Sequence, residues 1–335
     1  METSIQTPVR LALLGPGGFG QERARAMHAS PLVELVACYS PVEAESLACQ
    51  RQYGARAVSS ETEIWDDESL DGVVLSTPNH IHLEQTRLAA AAGKHVFVEK
   101  PLAPSVEQAR QMIDYCAQAR VALMVGHNSR RRDRIRQMKR FLEDGRLGRP
   151  LAAEANNSHA GGLQIRPGDW RWSPANCPGG PLTQLAIHHI DTLHYLLGPV
   201  ARVLAWQRRL AVRADIDDMT LTLLEFENGA LGYIGAHYAI PDLRFVHLLG
   251  TRANLRWDRA TGLLLELESE AGREHIQTRE NDTVLEEIEE FARCIAGGAT
   301  PEVDGECALA AVAVIEAAVL SNRRGRPVEI AEVAG

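Results

Sequence analysis

VRLALLGPGGFGQERARAMHA, residues 9–29, decides the fold. Val9 to Leu14 are apolar but for Arg10, the pattern of a short strand covered on both faces. GPGGFG then breaks the run, and Gln21 to Ala29 resumes at helical spacing. A strand, a glycine turn and a helix in that order open a parallel nucleotide-binding sheet. Within the turn, Gly15-x-Gly17-x-x-Gly20 has the spacing of the dinucleotide fingerprint. Its place after a strand and before a helix aims backbone amides at a pyrophosphate, so context makes the match specific.

The alternation continues outward. Strands are expected at residues 33–38, 72–76, 95–98 and 122–125, with helices at 42–53, 80–92 and 106–119 between and after them. Repeated strand-helix units of this length imply a doubly wound parallel sheet, with a domain boundary near residue 125. Beyond it the rhythm changes. A helix at 134–143, an extended segment at 151–158, a Gly/Pro-rich loop and a strong helix at 181–197 lead into successive strands between 200 and 267. Their Asn-Gly, Asp and Pro turns mark an antiparallel sheet, hence a second, α+β domain over 126–335. Two last helices, 284–296 and 306–321, close the chain, the latter placed to pack back on the first domain.

Composition bounds the partners. Of 335 residues, 44 are acidic and 35 basic, a net charge of −9 that disfavours nucleic acid and anionic lipid surfaces. No stretch of signal-peptide type precedes Val9, and the apolar run 308–320 is short and interrupted by Glu316, so a cytoplasmic location is expected. The cysteines (38, 49, 116, 177, 294, 307) show neither C-x-x-C pairing nor zinc-finger spacing, which fits free thiols in a reducing compartment. Cys177 alone lies near the motifs discussed next. The set His188, His189, Asp191, His194 splays around a helix, so no metal is expected.

Four further stretches complete a pattern: STPNH at 76–80, AGKHVFVEKPLA at 92–103, VGHNSRR at 125–131 and GGPLTQLAIHHIDTLHYLLG at 179–198. With the glycine turn they resemble the Gfo/Idh/MocA oxidoreductases, in order and across both domains. The resemblance implies a Rossmann domain followed by an α+β domain with a large open antiparallel sheet, which holds the substrate and forms the subunit interface of a homodimer or homotetramer. It implies NAD or NADP along Gly15, Gly17, Gly18, Phe19 and Gly20, past Ser40, Thr77, Pro78, Asn79 and His82, to Glu99 and Lys100. Lys100, followed by a frequently cis proline, would bond the oxygen on the reacting carbon. His188 would accept the hydroxyl proton. The family aspartate of D-x-x-x-H is replaced by Gln184, an amide that orients a hydroxyl without titrating.

Ser40 stands where a carboxylate would bond the ribose 2′-hydroxyl of NAD; without one nothing repels a 2′-phosphate, which tilts the reading slightly to NADP although no gripping arginine follows. Asn128, Arg130, Trp170, Arg171 and Gln184 are the expected substrate contacts. The tryptophans of Asp169-Trp170-Arg171-Trp172 read equally as sugar-stacking faces or as core. The arginines between 130 and 140 read mostly as a solvated helix face. The expected activity is hydride transfer between nicotinamide and a secondary hydroxyl of a sugar, sugar derivative or cyclitol. Alternatives are a non-catalytic sensor of this fold, favoured by Gln184, and a glycosidase using NAD transiently.

Overall fold

The protein is described here by a computed structural model covering residues 7–334; residues 1–6, part of the amino end read above, and residue 335 lie outside the described range. The chain forms two compact units. One comprises the residues up to 103, 107–128 and 282–309; the other comprises 104–106, 129–281 and those from 310 onward.

In the first unit, β1 (Val9–Leu14), β2 (Val33–Tyr39), β3 (Arg56–Ala57), β4 (Gly72–Leu75), β5 (His95–Glu99) and β6 (Leu123–Gly126) lie in the order β3-β2-β1-β4-β5-β6. All pairs are parallel. Leu11–Leu14, Val73–Leu75 and Val96–Val98 are fully buried because helices cover both faces, which is why these strands read as unbroken apolar runs. Strand order reverses between β1 and β4, and ligands of such sheets bind in the crevice at the carboxyl ends there.

Residues 282–309 group with this unit, whereas the sequence reading placed everything after 125 in the second domain. The cause is a buried charge cluster. Arg23, fully buried, pairs through Nε with Glu99 at 2.5 Å and through Nη2 with Glu287 of the helix Thr283–Gly297 at 2.7 Å. Phe291 of that helix meets Phe97 edge-on at 5.7 Å, and Val284 and Ile288 share the core of Leu11 and Leu13.

In the second unit, β7 (Pro150–Ser158), β8 (Val200–Arg208), β9 (Met219–Phe226), β10 (Leu231–His237), β11 (Leu243–Gly250), β12 (Ala253–Asp258), β13 (Leu264–Ser269), β14 (Gly272–Gln277) and β15 (Val328–Glu329) form one sheet. Its order is β14-β13-β12-β11-β7-β10-β9-β8-β15, antiparallel throughout except for β7 beside β10. One face is covered by the helix Ile187–Leu197, whose Ile187, Ile190, Leu193 and Leu197 pack with Ala155, Ile234, Val246 and Leu255. On the other face Trp206, Leu221, Leu223 and Leu231 are exposed, at 48%, 36%, 43% and 59%.

The helix Gly305–Arg324 is longer than its apolar run suggested and by length and composition could cross a membrane, but 61% of its most apolar window is buried. Its start, up to Leu309, groups with the first unit; Ala311, Val314, Ile315 and Ala318 belong to the core of the second.

Candidate active site

The carboxyl edge of the first sheet collects the fingerprint. A Cβ at Gly20 would overlap the Gly15 carbonyl oxygen, so only glycine lets the helix Gly20–Ala29 start this close to β1. Asn79, 2% exposed after β4, has no partner for its side-chain Nδ2 or Oδ1 among the described residues. An orphaned buried amide costs about 1–3 kcal/mol, and a polar ligand reaching this edge would satisfy it. These residues fit a dinucleotide. Phe19 is 46% exposed at the turn, and Thr77 donates its hydroxyl to Gln85 Oε1 at 2.6 Å.

The ribose position differs from the sequence reading in one respect. Ser40 donates to the carboxylate of Glu45 at 2.6 Å, and a Cβ on Gly17 would collide with that same carboxylate. A carboxylate therefore does stand at the end of β2, supplied by the first turn of the helix Glu43–Tyr53 rather than by the strand. Sequence reasoning missed Glu45 because it looked only at the strand end; its position five residues after Ser40, in a helix first turn, was the available signal. Beside Ser40 opens a cleft of about 410 Å³ lined by Tyr39, Pro41, Leu47, Ala57, Val58 and Ser59.

At the end of β5 the Lys100–Pro101 peptide is cis, and Lys100 is half-buried. His82, 1% exposed, does not face outward toward a ligand. Its Nδ1 lies 3.1 Å from both the Pro101 and Leu102 carbonyl oxygens, and its Nε2 3.0 Å from that of Thr77, tying the loops after β4 and β5 together. Burial lowers its pKa, against the three carbonyl contacts, which raise it. Glu99 is turned to Arg23 and accepts from the Lys100 amide at 3.3 Å.

In the second unit the helix of the HHID motif begins with a π-helical turn, Leu182–Ala186, before Ile187–Leu197. Such turns recur at functional sites. Gln184 is buried and accepts from Arg171 Nε at 3.5 Å; Arg171 lies over the Trp170 ring at 4.5 Å. Trp172 instead packs against Cys177, Val212, Ile216 and Tyr238, which is the core alternative for that ring. Cys177 is fully buried and points its thiol at the Gly180 carbonyl.

His188 is half-buried. His189 faces inward, Nε2 to Asn156 O at 2.8 Å, and burial, with Arg132, Arg134 and Arg244 nearby, holds its pKa down at about 4. Arg130 gives both Nε (2.9 Å) and Nη2 (2.5 Å) to Asp191, a buried bidentate pair, and Asn128, in the first unit, donates to Thr283 Oγ1 at 3.1 Å. The arginine run is not a solvated face at its start: Arg130 and Arg131 are 6% and 3% exposed.

Residues 9–127 match the family profile described as oxidoreductase family, NAD-binding Rossmann fold, and residues 135–256 match the Gfo/Idh/MocA C-terminal domain. The chain belongs to the Gfo/Idh/MocA oxidoreductase family. It is 28% identical to the scyllo-inositol 2-dehydrogenase (NAD(+)) of Bacillus subtilis, covering 97% of each chain. It is 30% identical to the levoglucosan dehydrogenase of Pseudarthrobacter phenanthrenivorans over 68% of this chain and 67% of that one. A crystal structure from Desulfitobacterium hafniense, named as a candidate NADPH-dependent oxidoreductase, superposes with a TM-score of 0.93 at 33% identity, covering 98% of this chain and 99% of the other.

Proposed function

We propose that this protein is an NAD(P)-dependent dehydrogenase that oxidises a secondary hydroxyl of a sugar, sugar derivative or cyclitol, or runs the reverse reduction. The observation that carries the reading is the carboxyl edge of the parallel sheet, where the fingerprint turn, the orphaned Asn79 and half-buried Lys100 end neighbouring strands. Relatives named as inositol and anhydrosugar dehydrogenases support the substrate class.

When bound, nicotinamide supplies the hydride acceptor. Lys100 donates to the oxygen of the reacting carbon and stabilises the negative charge that develops on it. His188 takes the hydroxyl proton, and the Gln184 amide, steadied by Arg171, orients the hydroxyl. Glu45 favours NAD over NADP, because its carboxylate accepts from ribose hydroxyls and repels a 2′-phosphate. The cysteines, all free thiols, suit a reducing cytoplasm. A second copy of the chain covers the apolar outer face of the second sheet.

The test is a panel of sugars, sugar acids, lactones and inositols followed by absorbance of the reduced cofactor. Lys100→Met should lower kcat at least about a hundredfold on the substrate so found, with NADH affinity retained, since the apolar stem stays and the donor goes. Wild-type turnover by that variant, or no net reduction of free dinucleotide across the panel, would overturn the assignment.

A further inference from the structure

Half-buried Arg132 and Arg134 open the helix Asp133–Glu143 of the second unit, and neither forms an ion pair with a carboxylate among the described residues. Asp133, between them in sequence, is engaged elsewhere: its Oδ2 accepts from the Arg279 amide and from Gln137 Nε2, each at 2.8 Å. Arg134 is fixed by stacking, its guanidinium 4.0 Å from the Trp257 ring centre on β12. Arg244 of the neighbouring β11 and Arg259 after β12 lie close enough to act on both. Those two share one carboxylate, Asp242, whose oxygens each lie 2.9 Å from an arginine Nε. The other acid in range, Glu280, makes no ion pair within 4 Å among the described residues.

Four guanidinium groups thus face two carboxylates, in a protein whose net charge is −9. Burial, then Arg132, push the Arg134 guanidinium down to about 9, the response of a cation crowded by its own sign. A protein surface gains nothing from such crowding. A bound anion would relieve it with charge-assisted, fork-shaped hydrogen bonds. Arg132, Arg134 and Arg244 also lie near enough to act on His189, the inward-facing residue after His188, so the cluster and the helix that carries His188 belong to the same unit.

We propose that Arg132, Arg134 and Arg244 bind an anionic group of the substrate, a carboxylate or a phosphate ester, so that the physiological substrate is an acidic sugar derivative. This rests on the dehydrogenase reading and narrows it. The anion contributes binding and orientation, held away from the oxygen that reacts.

Calorimetric titration at fixed ionic strength with D-gluconate, D-glucose 6-phosphate and neutral D-glucitol tests it, with NADH titrated on the same samples. The wild type should bind at least one anion about tenfold or more tightly than glucitol, and which one separates a carboxylate from a phosphate substrate. Arg132→Gln and Arg134→Met should each weaken that anion by about tenfold and leave glucitol unchanged. If Arg134→Met unfolds for want of its stack on Trp257, Arg132→Gln and Arg244→Gln carry the comparison. No preference for either anion in a wild type that binds NADH overturns this inference alone. Loss of NADH binding as well overturns the dehydrogenase reading with it, and anion binding untouched in the variants places the anion elsewhere and overturns the inference too.

Discussion

Glu45→Gln should move cofactor preference from NAD toward NADP, and the size of the shift can be worked from contacts in the first unit. The Glu45 carboxylate accepts the Ser40 hydroxyl at 2.6 Å and lies against Gly17, where the dinucleotide backbone must approach. Glutamine keeps an oxygen for Ser40 and nearly the same volume, so the perturbation is chiefly the charge. A hydrogen bond from a ribose hydroxyl to a carboxylate is worth about 1.5–3 kcal/mol against about 1 to a neutral acceptor, so NADH should weaken by roughly two- to thirtyfold. A 2′-phosphate brought to about 5 Å of a carboxylate would meet about 1–3 kcal/mol of repulsion for each unit of its charge between bulk-water and surface-pair screening, so NADPH should gain about tenfold or more. The ratio of the two Kd values should therefore change by roughly a hundredfold. Fluorescence titration of NADH and NADPH, with wild type and variant side by side, reads it directly and without turnover. Glu45 also sits in the first turn of its helix, so the variant should lose about 0.3–1 kcal/mol of stability, checked separately by denaturation. A ratio that moves by less than about threefold with both proteins folded refutes the reasoning, and leaves Ser40 alone to set the preference.

Two other outcomes are expected. His189 has a folded-state pKa of about 4 against an ordinary 6.5, so the unfolded chain takes up its proton first as pH falls. Its contribution is intact above about 6.5 and fades toward 4, a loss of about 2 kcal/mol between pH 7 and 5. Urea midpoints of wild type and His189→Gln should converge as pH drops over that window, and parallel curves would show that this ring does not titrate as argued. On the outer sheet face, Leu223→Asp replaces a 43% exposed apolar residue that lies opposite Leu204 and Tyr233. Sedimentation at micromolar concentration should show an oligomer for wild type and a smaller species for the variant; a monomeric wild type would remove the second copy from that face.

What could be read from the sequence was local in origin. β1, the glycine turn and the helix after it announce themselves within 21 residues, because a strand covered on both faces must be apolar and the turn must be glycine. In β9 the structure buries Leu224 and Phe226 and exposes Leu221 and Leu223, apolar residues on both faces, so alternation of polarity does not mark which side is covered. β14, Gly272–Gln277, escaped because it is the sheet edge and almost wholly exposed, so nothing imposes alternation on GREHIQ.

The site was less legible, since its charges are partnered across long separations. Arg23 is an ordinary helix arginine until Glu99 and Glu287 are brought to it, 76 and more residues away, and with them residues 282–309 leave the second domain. The arginines from 130 onward have helical spacing whichever side is covered; Asp191 buries Arg130, whereas among the described residues Arg132 and Arg134 form no ion pair and lie among other arginines with Glu280 the one acid in range. A sequence supplies the inventory of charges, but folding decides which remain uncompensated. In the second unit the uncompensated ones are Arg132 and Arg134, in the first the orphaned amide is that of Asn79, and a folded chain retains such costs where a ligand relieves them.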